Sequence, residues 1–154
     1  LKDTIDIRHH LIDSLYNHID SLYREIDTLQ QEKEIFDYNK SYDNKILSAI
    51  MFVESSYDNF AYNPNEDAVG CLQIRRCMVD DINRILQRKN SSLRFNYNDR
   101  WSRNKSIQMF EIYCKYYNLN SYEKIARCWN GGPDGIYKPT TADYWDKVKN
   151  KING

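Results

Sequence analysis

A repeat of seven residues dominates the start of this 154-residue chain. Ile12-Asp13-Ser14-Leu15-Tyr16 returns as Ile19-Asp20-Ser21-Leu22-Tyr23 and again as Ile26-Asp27-Thr28-Leu29. Ile5, Ile12, Ile19 and Ile26 stand seven apart, and Leu15, Leu22 and Leu29 each follow an isoleucine by three. Two apolar positions in seven draw a narrow stripe along a helix. β-Branched residues at its a positions and Leu at its d positions favour a parallel two-stranded coiled coil. Arg8 and Lys33 interrupt the seam near its ends. The competing arrangement is one long amphipathic helix folded back on its own domain, but that role normally needs a wider stripe. His9, His10 and His18 fall on the same helix and read as solvated side chains.

The rest of the chain follows different rules. Asp37 to Asn44 is polar and turn-prone, which places a linker there and divides the chain into a helix at 1–36 and a domain at 37–154. Ile46 to Val53 is apolar on almost every side and reads as a buried helix. Ser55 to Val69 reads as a loop, and Gly70 as the start of a helix carrying Cys71, Ile74, Met78, Ile82 and Ile85. Asn90 to Asp99 is a second loop. Ile107, Phe110, Cys114 and Tyr117 mark a further core helix, and Tyr122 to Trp129 a shorter one ended by Asn130-Gly131-Gly132-Pro133. Thr141 is placed to cap a last helix bearing Tyr144, Trp145, Val148 and Ile152. No stretch alternates with period two, so the fold class expected is mainly α.

Charge narrows the function classes. Lys and Arg number 22 and Asp and Glu 22, a balance that argues against a nucleic-acid binder or a polybasic membrane-surface protein. No apolar run has the length of a membrane span. The four cysteines, 71, 77, 114 and 128, form no Cys-x-x-Cys pair and have no neighbouring His, which disfavours structural zinc. Each lies among apolar residues, as buried thiols do, although an even number leaves disulfides open. The chain opens on Leu1 and not on an initiator Met, so an upstream stretch is expected, and any signal peptide would lie there.

Glu54 is the residue out of place. At helical spacing it stacks on Met51, Ile50 and Leu47, so its carboxyl leaves an apolar face. In a cleft, desolvation would raise its pKa towards the range a general acid needs. Gly70-Cys71-Leu72-Gln73 joins a permissive backbone to a polar amide, and Arg127-Cys128-Trp129-Asn130-Gly131-Gly132-Pro133 joins an aromatic and an amide on a glycine turn. An aromatic face with amides beside it suits an N-acetylated sugar.

Taken in order, Glu54-Ser55, Ala68-Val69-Gly70-Cys71-Leu72-Gln73-Ile74 and Trp129-Asn130-Gly131-Gly132-Pro133 resemble the soluble lytic transglycosylase domain of the goose-type lysozyme superfamily, glycoside hydrolase family 23. That family carries Glu-Ser, then Ala-x-Gly-Leu-Met-Gln, then Ala-Tyr-Asn-Ala-Gly-Pro. The likeness runs from about Ile46 to Val148; Ser106-Ile107 stands where the family often has Asn-Ile, and Thr141 and Tyr144 match its late Glu-Thr-x-x-Tyr-Val segment. It implies a lysozyme-like helical domain, peptidoglycan glycan strands as substrate, no metal or cofactor, and action outside the cytoplasm, in the periplasm or cell wall, or with a phage or secretion system. Glu54 would be the catalytic acid/base. Ser55, Gly70, Cys71, Leu72, Gln73, Trp129, Asn130 and Tyr144 would form the substrate-binding site, with Gln73 and Asn130 bonding the glycan, Trp129 in place of the family's Tyr and Tyr144 beside the Glu54 carboxyl. Cys71, Leu72 and Thr140 depart from the family's Leu, Met and Glu, and Pro64 stands where it often has Ser.

Two alternatives remain open at this level. A hydrolytic lysozyme would need a second carboxylate to position water, and Asp58, Glu66 and Asp67 lie in the loop between the motifs. A coiled-coil scaffold that grips glycan without cutting it would need no acid at all.

Overall fold

The computed structural model describes the backbone of residues 2–39 and 44–154, and the side chains of residues 7–30 and 45–154. Six α-helices make up most of it: α1 (Lys2–Asn39), α2 (Asn44–Ser55), α3 (Arg76–Arg88), α4 (Arg103–Tyr116), α5 (Tyr122–Gly131) and α6 (Ala142–Asn153). Two compact units divide the chain, Leu1–Asp37 and Tyr38–Gly154.

The first unit is the heptad helix. Its a and d side chains within the described residues, Ile12, Leu15, Ile19, Leu22, Ile26 and Leu29, are all exposed, between 43% and 60%. Ile5 and Lys33 have side chains outside the described residues. α1 continues through Asn39, so the linker expected from Asp37 is helical at its start, while residues 40–43 lie outside the described residues. No described helix is long and apolar enough to cross a membrane.

The second unit has a core shared by all five of its helices: Ile46, Ile50 and Met51 of α2, Val79, Ile82 and Ile85 of α3, Met109 and Phe110 of α4, Ile125 and Ala126 of α5, and Val148 of α6. α2 packs on α5 and α6, and α3 on α4. The almost unbroken apolar character of Ile46 to Val53 follows from this position, since neighbours cover the helix on several sides.

Between α2 and α3 the chain makes a two-stranded antiparallel hairpin, β1 (Tyr62–Asn63) and β2 (Ala68–Val69), with Tyr62 opposite Val69. Strands of two residues are too short to display alternation, so the sequence reads as loop. The helix expected from Gly70 begins six residues later, at Arg76. Gly70 has φ +79° and Gln73 φ +48°, left-handed values that a right-handed helix cannot contain. Residues 70–75 instead form a turn closed by a bridge between Val69 and Ile74.

Two further expectations change. Thr141 precedes α6 without capping it through its side chain. Its Oγ1 lies 2.7 Å from Gly135 O and 2.8 Å from Lys138 O and accepts from Arg127 Nε at 2.9 Å, so it ties α5 to the segment before α6. All four cysteines are free thiols, and Cys71, Cys114 and Cys128 are buried, but Cys77 is exposed on the first turn of α3.

Candidate active site

Glu54 is the penultimate residue of α2. The helix stops after Ser55 because Ser56 and Tyr57 take φ +54° and +69°, with Ser56 N donating to Phe52 O at 2.9 Å. This termination leaves the Glu54 carboxyl at a helix end backed by apolar side chains. Desolvation raises its pKa to about 7; a hydrogen bond from Tyr144 and the charge of Arg75 pull it down, and Glu66 pushes it up. Tyr144, from α6, donates from Oη to Glu54 Oε1 at 2.7 Å. Burial and the adjoining carboxylate hold the phenol well above its ordinary pKa, so it remains a donor at neutral pH.

Ser55 is half-buried, and its Oγ lies 2.9 Å from Cys71 O and 3.2 Å from Met51 O, joining the end of α2 to the turn after the hairpin. Gly70 is buried there, and a Cβ on it would collide with Arg100 O. Gln73 donates from Nε2 to Gly70 O at 3.0 Å and Ala61 O at 3.2 Å, which closes the turn and leaves its amide oxygen out of those bonds. Cys71 and Leu72 are 1% and 0% exposed, so they support the site from within the core.

Trp129 is likewise a core residue. It is 5% exposed, meets Phe110 and Tyr113 edge-on with centroids 5.0 and 5.7 Å away, and donates from Nε1 to Leu72 O at 3.3 Å. A ring so enclosed cannot stack openly on a sugar; it forms part of the floor of a cavity of about 650 Å³. Asn130, Gly131, Arg75, Arg84 and Lys138 are among the residues lining the same cavity. Glu54 is not, yet Arg75 belongs both to the cavity wall and to the charges acting on Glu54.

The three loop carboxylates separate cleanly. Asp58 accepts from Phe60 N at 2.8 Å, within its own turn. Asp67 accepts from Arg76 Nε at 2.7 Å and lies 3.5 Å from Arg100 Nη2. Glu66 has one loose partner, Arg75, at 3.8 Å, and is the member of the three whose charge reaches Glu54.

Two residues that motif reading passes over prove central. Arg100 is 4% exposed and donates from Nη1 to Asp67 O at 2.6 Å and Ile74 O at 3.1 Å, pinning the hairpin and the turn together. Arg75 sits at the N-cap of α3 with no apolar periodicity to mark it. An arginine next to the Gly-x-x-Gln segment was the available signal.

Comparison with protein-family models, with curated proteins and with solved structures finds no match to this chain.

Proposed function

We propose that Tyr38–Gly154 is a lysozyme-like domain that cleaves peptidoglycan at the β-1,4 bond between N-acetylmuramic acid and N-acetylglucosamine, acting as a lytic transglycosylase outside the cytoplasm. One observation carries the reading: the Glu54 carboxyl, raised to about 7 by desolvation and oriented by Tyr144 at 2.7 Å. Near neutral pH such a group is protonated in a large share of molecules and can give its proton to a leaving oxygen. The motif resemblance supplies the substrate. The mainly helical unit with its small hairpin supports the lysozyme-like fold.

In this reading Glu54 protonates the glycosidic oxygen while positive charge develops at C1 of the muramyl ring. The resulting carboxylate then takes the proton from the muramyl C6 hydroxyl as that oxygen attacks C1. A 1,6-anhydro ring forms, Glu54 regains its proton, and water is not consumed. Tyr144 stabilises the carboxylate in the interval between the two transfers.

A hydrolytic muramidase is the second reading, and Glu66 favours it. Its charge acts on Glu54 and its partner is loose, whereas Asp58 and Asp67 are committed to the loop. Glu66 would position water for attack at C1. A glycan-binding scaffold without catalysis would gain nothing from a desolvated acid. For the N-terminal unit, the exposed Ile and Leu seam of α1 supports a parallel homodimer.

Mass spectrometry of fragments released from purified peptidoglycan tests these readings. The chain is expected to leave 1,6-anhydromuramyl ends, and Glu54→Gln is expected to lose at least about 99% of the activity while remaining folded, because an amide has no proton to deliver. Reducing ends that vanish with Glu66→Gln would establish hydrolysis. Retention of more than a few per cent of activity by Glu54→Gln would remove Glu54 from the role.

A further inference from the structure

The cavity whose wall includes Arg75, the arginine whose charge acts on Glu54, is basic, which nothing in the reaction requires. Arg75 at the N-cap of α3, Arg84 one helical stretch further along it, and Lys138 in the segment before α6 line it, against a single lining carboxylate, Asp81. The three cations are not equally occupied. Arg84 Nη2 lies 3.2 Å from Asp81, and that carboxylate also accepts from Tyr117 Oη at 2.8 Å. Lys138 Nζ donates to Gly131 O at 2.5 Å. Arg75 meets Glu66 at 3.8 Å, outside hydrogen-bond range, and both side chains are substantially exposed, at 41% and 52%. Among the described residues no hydrogen bond engages its guanidinium. Arg75 thus offers a planar, permanently charged fork, suited to bidentate contact with a carboxylate, on the wall that also carries Asn130.

We infer that Arg75 is the anchor of an anion subsite that takes a carboxylate borne by the glycan strand, with Arg84 and Lys138 supplying the surrounding positive field. Glu66 is the resident counter-ion, held loosely enough for a substrate carboxylate to replace it. This rests on the peptidoglycan reading for the ligand's identity, since muramyl units carry carboxylates and N-acetylglucosamine units do not. Two positions on the strand present that chemistry: the lactyl group of a muramyl residue without its peptide, and the acidic residues of the peptide stem. Recognition through Arg75 would select strands containing muramic acid over neutral N-acetylglucosamine polymers of the same length. Asp81 faces the same cavity and acts against the subsite, which is why Arg75, and not the better-neutralised Arg84, carries the selectivity.

Calorimetric titration tests this with Glu54→Gln present in every protein titrated, so that binding is read without turnover. The ligands are a tetrasaccharide of alternating N-acetylglucosamine and N-acetylmuramic acid, the same tetrasaccharide carrying its peptide stems, and the neutral tetramer of N-acetylglucosamine. The chain that keeps Arg75 is expected to bind at least one carboxylated ligand about tenfold or more tightly than the neutral one, a preference that weakens with salt. Arg75→Gln is expected to erase the preference while leaving affinity for the neutral tetramer within about twofold, and Arg75→Lys to keep part of it. Preference for the bare tetrasaccharide assigns the lactyl carboxylate; preference for the stem-bearing one alone assigns the peptide. Equal binding of all three ligands, binding of none, or an undiminished preference in Arg75→Gln overturns the inference. Wall cleavage is scored separately. A chain that cuts wall without charge preference loses the subsite and keeps the activity, and a chain that shows the preference without cutting loses the activity and keeps the subsite.

Discussion

Tyr144 reaches across ninety residues of sequence to place its hydroxyl 2.7 Å from Glu54 Oε1. The contact joins the end of α2 to the first turn of α6, and it is the side-chain hydrogen bond that opposes the desolvation of the acid. A phenol hydrogen-bonded to a carboxylate stabilises the charged form, so this bond keeps the acid from titrating still higher.

Removing that hydroxyl is expected to move Glu54 in one direction. In Tyr144→Phe the carboxylate loses its donor, its pKa rises above about 7, and activity survives to higher pH because the acid stays protonated longer. The stability cost is about 1–2 kcal/mol at pH 8, where the carboxylate is charged, and smaller at pH 5. A pH–rate profile on wall suspensions and thermal melts at the two pH values check both parts.

Glu66 and Glu54 repel, so Glu66→Gln is expected to do the opposite. With the neighbouring negative charge gone, Glu54 holds its proton less tightly and the alkaline limb of the profile moves to lower pH. An unchanged limb would place Glu66 too far from Glu54 to tune it.

Stability should fall as pH rises from 4.5 to about 7. Glu54 and Glu111 are both raised to about 7 by desolvation, so the folded state binds their protons more tightly than the unfolded chain. Each is neutral in both states below about 4.5, and the unfolded state gains increasingly from deprotonation above that value. The combined loss by pH 8 is on the order of a few kcal/mol. Glu111 is 2% exposed and its Oε2 has no hydrogen-bond partner in the described residues. Glu111→Leu is therefore expected to stabilise the domain at pH 8 by about 1–3 kcal/mol and to flatten the pH dependence. Melting temperatures across pH 5 to 8 decide it.

Two glycines with the same backbone sign separate strain from collision. Gly70 (φ +79°) lies where a Cβ would strike Arg100 O, whereas a Cβ on Gly132 (φ +86°) would meet nothing within 4 Å. Gly132→Ala is expected to cost about 1–3 kcal/mol from backbone strain alone, because φ +86° with ψ −179° is a conformation essentially reserved for glycine. Gly70→Ala should cost about 2–5 kcal/mol, because it also dislodges the arginine that pins the hairpin. Denaturant titration of both variants gives the comparison.

The α1 seam is expected to associate. Light scattering at tens of micromolar should return a dimer for the full chain and a monomer for a version starting at Tyr38. A monomer for both would leave α1 without a second copy as its partner.

Local patterns in the sequence determine the elements whose information is local. The heptads of α1, the apolar run of α2 and the glycines closing α5 each depend on residues within one or two turns, and a carboxylate on an apolar helix face marks Glu54 by the same reasoning. Tertiary structure decides everything that depends on neighbours far along the chain. Trp129 looks like a sugar platform in sequence and is a core ring because Phe110 and Tyr113 enclose it. Cys71 through Gln73 looks like the start of a helix and is a turn ending in a left-handed Gln73, because Ser55 holds Cys71 O, Ala61 O accepts from Gln73, and Arg100 fixes the adjoining Ile74 O. The Glu54–Tyr144 bond and the Arg75–Glu66 pair have no signature in periodicity either. Each forms only once the helices have packed, since burial and electrostatic proximity are properties of the assembled core and not of any window of sequence.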